Sequence, residues 1–137
     1  GLVGAEANAI QPGKRMLSSM TPTIIEKDGM LFMVLGAPGG STIITAVLQT
    51  ILNVEAYSMD LNEAVQAPRF HHQWLPNEIS CETGAIDTLA REQLWKKGHI
   101  LKNVDRMALI KAIAVLPDGR LHGVADFRHE DDHAEGY

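Results

Sequence analysis

Two runs rich in β-forming residues, Thr23-Ile24-Ile25-Glu26-Lys27 and Met30-Leu31-Phe32-Met33-Val34-Leu35, flank the dipeptide Asp28-Gly29. An Asp-Gly pair between two such runs predicts a hairpin with a tight turn. The second run has no polar position, which predicts a strand buried on both faces. From Ser41 onward Ile43, Val47, Ile51 and Val54 recur at helical spacing, and Ile44, Leu48 and Leu52 fill the adjacent face. A helix apolar over so wide an arc is expected in the middle of the domain. Asp60-Leu61-Asn62-Glu63 carries a capping-box pattern and opens a second helix that stops before Pro68. A third is expected from Asp87 to near Gly98. An extended segment over Ile100 to Val104 follows, then a second hairpin, Lys111 to Leu116 and Arg120 to Val124 around Pro117-Asp118-Gly119. Two strands, three helices and further strands indicate a layered α+β domain, antiparallel hairpins with packed helices, rather than a doubly wound parallel sheet.

The junction between the first hairpin and the first helix carries the candidate chemistry. Gly36-Ala37-Pro38-Gly39-Gly40-Ser41 lets the backbone approach a ligand closely, and the helix that follows gathers unpaired N–H groups at its start. Such a place suits negative charge: a resting anion, a phosphate, or the oxyanion of acyl transfer. Upstream, Lys14-Arg15-Met16-Leu17-Ser18-Ser19-Met20-Thr21-Pro22 sets two hydroxyls beside two cations, a combination suited to a carboxylate next to a carbonyl under attack. On the residues alone each stretch also reads more simply. A strand-Gly-Gly-helix junction is commonly only a tight turn, and paired serines commonly satisfy a loop's own backbone.

Other chemistries find less support. The glycine loop lacks the lysine and the length of a GxxxxGK[ST] phosphate loop. Neither serine lies in a Gly-x-Ser-x-Gly elbow. His71 and His72 are adjacent and so point to different sides, with no carboxylate or cysteine at ligand spacing, which favours a structural hydrogen-bonding role over a metal site. The tail Arg128-His129-Glu130-Asp131-Asp132-His133 reads as a solvated or ion-paired terminus.

Composition narrows the picture. At 137 residues with 45% hydrophobic, the chain is one domain or part of one with a real core. A net charge of −5, scattered basic residues and 5% aromatic content disfavour a nucleic-acid surface and leave small molecules or proteins as partners. The single cysteine, Cys81, excludes an internal disulfide. No stretch reaches the ~18 apolar residues of a membrane span. The opening Gly1-Leu2-Val3-Gly4, without an initiator methionine, reads as a processed or truncated piece.

Taken in order, these stretches resemble the gamma-glutamyltranspeptidase family. The resemblance runs through Asn8-Ala9-Ile10, Pro12-Gly13-Lys14-Arg15, Leu17-Ser18-Ser19-Met20-Thr21-Pro22 and Pro38-Gly39-Gly40-Ser41. It continues through Glu63-Ala64, Ala67-Pro68-Arg69-Phe70-His71-His72-Gln73-Trp74-Leu75-Pro76 and Gly98-His99 to Gly136-Tyr137. It implies an N-terminal-nucleophile hydrolase built as an αββα sandwich, made as a precursor that cleaves itself into a large and a small subunit. The new N-terminal threonine attacks the gamma-glutamyl amide of glutathione or a related compound, and the acyl group then passes to water or to an amino-acid or peptide acceptor.

By that resemblance Ser18 and Ser19 contact the substrate's α-carboxylate, Gly39 and Gly40 supply main-chain donors to the tetrahedral intermediate, and neither cofactor nor metal takes part. The nucleophile threonine, an Asp for the substrate's amino group and the arginine of the large subunit find no counterpart in residues 1–137. The chain therefore resembles the C-terminal part of the small subunit. It is expected to be inactive by itself, to partner the large subunit and the upstream part of the small one, and to belong to a periplasmic or cell-surface protein. Two other readings stay open: an inert or purely binding relative, and an enzyme of the same fold acting on polyglutamate or acylated β-lactam side chains. Ala37 stands where a serine is usual, Phe127 where a proline is frequent, and Met107-Ala108 where a glycine is common.

Overall fold

The computed structural model describes residues 5–136. Gly1-Leu2-Val3-Gly4 and the final Tyr137 lie outside the described residues. After a 3-10 turn at Glu6–Asn8 come β1 (Thr23–Lys27), β2 (Met30–Gly36), α1 (Thr42–Glu55) and α2 (Leu61–Gln66). Then follow β3 (Phe70–His71), β4 (Ile79–Cys81), α3 (Thr88–Lys96), β5 (Leu101–Asn103), β6 (Lys111–Val115) and β7 (Leu121–Ala125).

Both predicted hairpins form, and antiparallel pairing of β2 with β6 joins them into one sheet of order β1-β2-β6-β7. Helices α2 and α3 begin where their capping residues dictate. Asp60 accepts from the Glu63 N–H at 2.8 Å while its own N–H reaches the Glu63 carboxylate at 3.3 Å, both halves of a capping box. Asp87 caps α3 through the Ala90 N–H at 2.8 Å.

The core lies between one face of this sheet and helices α1 and α2. Met33, Leu35, Ala112, Ala114 and Val124 meet Ile43, Ala46, Val47, Leu61 and Val65. Each fully buried large apolar side chain here, such as Met33 or Val65, contributes about 1.5–3 kcal/mol relative to exposure.

Two expectations about burial need correction. β2 is buried on one face only: Met33 and Leu35 point inward, while Met30 and Val34 are exposed. Likewise α1 buries Ile43, Ala46, Val47 and Thr50 but leaves Ile44, Leu48 and Leu52 exposed. The reason is common to both. The helices cover the sheet from one side only, so α1 leaves one apolar face uncovered, and a row of apolar side chains crosses the other side of the sheet, Ile24 opposite Val34 and Val34 opposite Ile113, with no helix or strand over it among the described residues.

A second, smaller sheet of order β3-β4-β5 lies between α2 and the second hairpin in the sequence, and its β4–β5 pair is parallel. The expected order of two strands, three helices and then strands omitted β3 and β4, because strands of two and three residues carry no periodic signal.

Candidate active site

The glycine loop leaves β2 and enters α1 through two positive backbone angles, φ +147° at Gly39 and +61° at Gly40. A side chain at Gly39 meets solid structure: its Cβ would lie 2.8 Å from Ala108 Cα and 3.0 Å from Thr42 Oγ1. At Gly40 nothing lies within 4 Å, and only the left-handed angle selects glycine. Ser41 does not cap the helix with its side chain. Thr42 instead turns its hydroxyl back to the Gly39 carbonyl at 2.8 Å, and the Thr42 and Ile43 N–H groups donate to the Gly39 and Gly40 carbonyls, each at 3.3 Å. The Gly39 and Gly40 carbonyls thus each accept from the first turn of α1. Among the described residues its Gly39 and Gly40 N–H groups have no protein acceptor, and both glycines are exposed.

The serine pair reaches this loop. Ser19 Oγ donates to the Gly40 carbonyl at 2.9 Å, so residues twenty-one apart in sequence share one site. Ser18 is exposed, and its Oγ accepts the Met20 N–H at 3.1 Å, which leaves the hydroxyl proton available to a ligand. Lys14 does not stand beside the serines as the sequence suggested. Its ammonium folds back to the carbonyls of Ala7 and Ala9.

Behind the glycine loop runs an irregular strap, Met107 to Ile110, outside any strand. The Leu109 N–H donates to the Pro38 carbonyl at 3.1 Å, and Ala108, held at φ +53°, packs against Gly39. An alanine in the left-handed region costs about 1–2 kcal/mol, so other contacts must hold it there. Those contacts come from a buried cluster of Arg69, Glu82, Asp126 and Arg128. Glu82 accepts the Met107 N–H at 2.8 Å, Arg69 donates to the Met107 carbonyl at 3.1 Å, and Asp126 accepts the Ile110 N–H at 2.9 Å. Within the cluster Asp126 pairs with Arg69 at 2.8 Å and Arg128 at 2.9 Å, and Arg128 also binds Glu82 through its Nε at 2.7 Å.

The electrostatics follow from burial and pairing. Burial pushes both carboxyls up, but hydrogen bonds from Arg128 and from main-chain N–H groups, with the charges of the neighbouring arginines, hold Glu82 and Asp126 below the ordinary carboxylate range. Burial lowers Arg69, and the nearby Arg128 adds to this against the pull of Asp126. Burial also acts to lower Arg128, but its two carboxylate partners more than reverse that. Two cations and two anions leave the cluster neutral. The sequence reading missed it: it placed Arg128 in a solvated or ion-paired terminus, whereas Arg128 is ion-paired but buried. The rest of that tail is ion-paired or exposed as expected, with Lys111 paired to Asp132 and His133 exposed beside Glu135.

The histidines play the expected hydrogen-bonding part. His71 is buried between Thr45 Oγ1 at 2.7 Å and Gln73 Oε1 at 2.8 Å, which ties β3 to α1, while His72 is exposed beside Asn77. The Phe127 N–H donates to Gln66 at 3.0 Å, a bond that a proline there could not make.

The model of the family described as gamma-glutamyltranspeptidase matches residues 1–136. The chain is 50% identical over 138 residues to the glutathione hydrolase proenzyme of Escherichia coli (strain K12), covering 100% of this chain and 23% of that relative. It is 44% identical over 146 residues to the glutathione hydrolase proenzyme of Pseudomonas sp. (strain A14), covering 100% of this chain and 25% of that one. The chain thus spans about a quarter of the length of these curated relatives. Among solved structures, that of the T380A mutant of Helicobacter pylori gamma-glutamyltranspeptidase superposes with a TM-score of 0.87 at 48% identity, over 94% of this chain and 71% of the other.

Proposed function

Because this chain belongs to the gamma-glutamyltranspeptidase family, with the α+β fold of N-terminal-nucleophile hydrolases, we propose that it forms one wall of an acyl-transfer site acting on gamma-glutamyl compounds such as glutathione. The observation that carries this reading is the Ser19–Gly40 hydrogen bond, which brings the paired hydroxyls and the two free N–H groups into one site.

In this reading the hydroxyl of a threonine supplied from outside residues 1–137 adds to the γ-carbonyl carbon, and the carbonyl oxygen takes up negative charge. The Gly39 and Gly40 N–H groups face that oxygen, stabilising the charge as it develops rather than in the resting amide. The intermediate collapses, the amine leaves with a proton, and a gamma-glutamyl ester remains for attack by water or an acceptor amine. Ser18 holds the α-carboxylate with its free hydroxyl proton, Ser19 keeps its own proton on the Gly40 carbonyl beside it, and together they fix how far the γ-carbonyl stands from the loop. The relatives are named proenzymes, which supports a longer precursor as the source of the nucleophile. The open apolar row of Ile24, Val34 and Ile113 is where the rest of such a protein packs.

Two outcomes are expected. Residues 1–137 alone will not turn over a chromogenic gamma-glutamyl anilide, and turnover that survives repeated purification of the chain defeats that expectation. In the complete enzyme, removing the Ser18 hydroxyl will cost about 1.5–3 kcal/mol in kcat/KM, the worth of a hydrogen bond to a charged group. Ser18→Ala will act mainly through KM. Ser19→Ala will lower kcat, since it unties Gly40. An unchanged kcat/KM in the double variant would mean that the serines only shape the loop.

A further inference from the structure

The strap Met107–Ile110 raises a question the acyl-transfer reading does not answer, namely why a buried four-charge cluster should close around it. Replacing buried ion pairs by packed apolar residues is often neutral or stabilising, so stability alone is a weak reason for the cluster. The strap supplies a better one. Its backbone belongs to no sheet or helix, so its polar groups need partners from elsewhere. Three come from the cluster: Glu82 on the Met107 N–H, Arg69 on the Met107 carbonyl and Asp126 on the Ile110 N–H. Both ends are therefore clamped by charged groups. The middle, Ala108 and Leu109, is what touches the glycine loop.

We propose that Glu82 and Asp126 are positioning residues for the Gly39–Gly40 N–H donors, acting through this strap; the proposal rests on the oxyanion reading of those glycines. The chain of contacts is short. A carboxylate fixes each end of the strap, Leu109 holds the Pro38 carbonyl at 3.1 Å, and Ala108 blocks Gly39 from moving back. Neither carboxylate is placed to touch substrate. Their influence is on where two main-chain N–H groups point, and oxyanion stabilisation depends steeply on that direction.

The test uses the complete, matured enzyme, with kcat expressed per active site by burst titration. Glu82→Gln and Asp126→Asn keep size and shape but present an NH2 group where the strap or an arginine donates. Each is expected to lower kcat per active site at least tenfold while KM stays within about threefold, a fall that the titration of active sites separates from a loss of folded protein. Folded, matured variants with wild-type kcat per site overturn the proposal. Should the cluster variants fail to mature, the strap can be loosened without touching them by replacing Leu109 with its α-hydroxy acid, which deletes only the N–H to Pro38. A tenfold fall in kcat is again expected, and an unchanged kcat again overturns the proposal. Gly39→Ala run alongside separates the two readings. Unchanged kcat there removes the oxyanion role itself, whereas a fall there beside unaffected Glu82, Asp126 and Leu109 variants removes the strap alone.

Discussion

Gly39→Ala will lower kcat of the complete enzyme by about a hundredfold or more, with KM within a small factor. The added Cβ would sit 2.8 Å from Ala108 Cα, 3.0 Å from Thr42 Oγ1 and 3.1 Å from Ala108 Cβ, at a residue whose φ is +147°. The nearest of these is backbone of the strap and cannot swing aside as a flexible side chain would, so the loop itself must shift. A shifted loop turns the Gly39 N–H away from the oxyanion, and loss of one such donor is worth about 2.7–4 kcal/mol, or about 10²–10³ in rate. Gly40→Ala provides the contrast. Its Cβ meets nothing within 4 Å, so the cost is confined to the left-handed angle, about 1–2 kcal/mol, and kcat should fall only about tenfold. Steady-state kinetics on folded, matured variants decide the matter. Wild-type kcat in Gly39→Ala would reduce the loop to a tight turn.

Asp126→Ala will destabilise the protein by about 3–5 kcal/mol, read as a large drop in the urea midpoint. The fully buried Asp126 accepts from the Ile110 and Arg128 N–H groups and pairs with both Arg69 and Arg128, so its removal leaves two guanidinium groups short of a partner in a low-dielectric site. Breaking the exposed Lys102–Glu78 pair should change stability by only about 0–1 kcal/mol. The same cluster sets an acid limit. Glu82 and Asp126 have folded pKa values below their unfolded ones, so the unfolded state takes up protons first as pH falls. Their contribution is complete above the ordinary carboxylate range near pH ~4 and is lost as pH falls through the depressed values. Asp126→Ala should therefore flatten the acid limb of stability, and an equally steep limb in that variant would place the protons elsewhere.

Much of this was legible in the chain because the relevant signals are local. Asp28-Gly29 and Pro117-Asp118-Gly119 fix turns, and the capping residues Asp60 and Asp87 fix helix starts, through geometry that spans a few residues. The same locality makes Gly39-Gly40 and Ser18-Ser19 recognisable as candidate chemistry. What local pattern could not decide was which apolar face stays open. A residue's period tells which side it faces, but whether anything covers that side depends on other elements, so β2 and α1 each bury only one of two apolar faces.

The sequence by itself determined the two hairpins, the three helices and the two motifs, though not the short strands β3 and β4, since hydrogen-bonding geometry and periodicity act over a turn or two of chain. The tertiary structure alone decided that Ser19 reaches Gly40, that Lys14 turns away from the serines, and that Arg69, Glu82, Asp126 and Arg128 close around the strap behind Gly39. Asp126 and Arg128 are near neighbours, but Arg69 and Glu82 lie far from them along the chain, so no spacing marks the four as partners, and each alone reads as a surface group. Only when folding removes them together from water does the cost of burial force them to pair, and with pairing comes their grip on Met107 and Ile110.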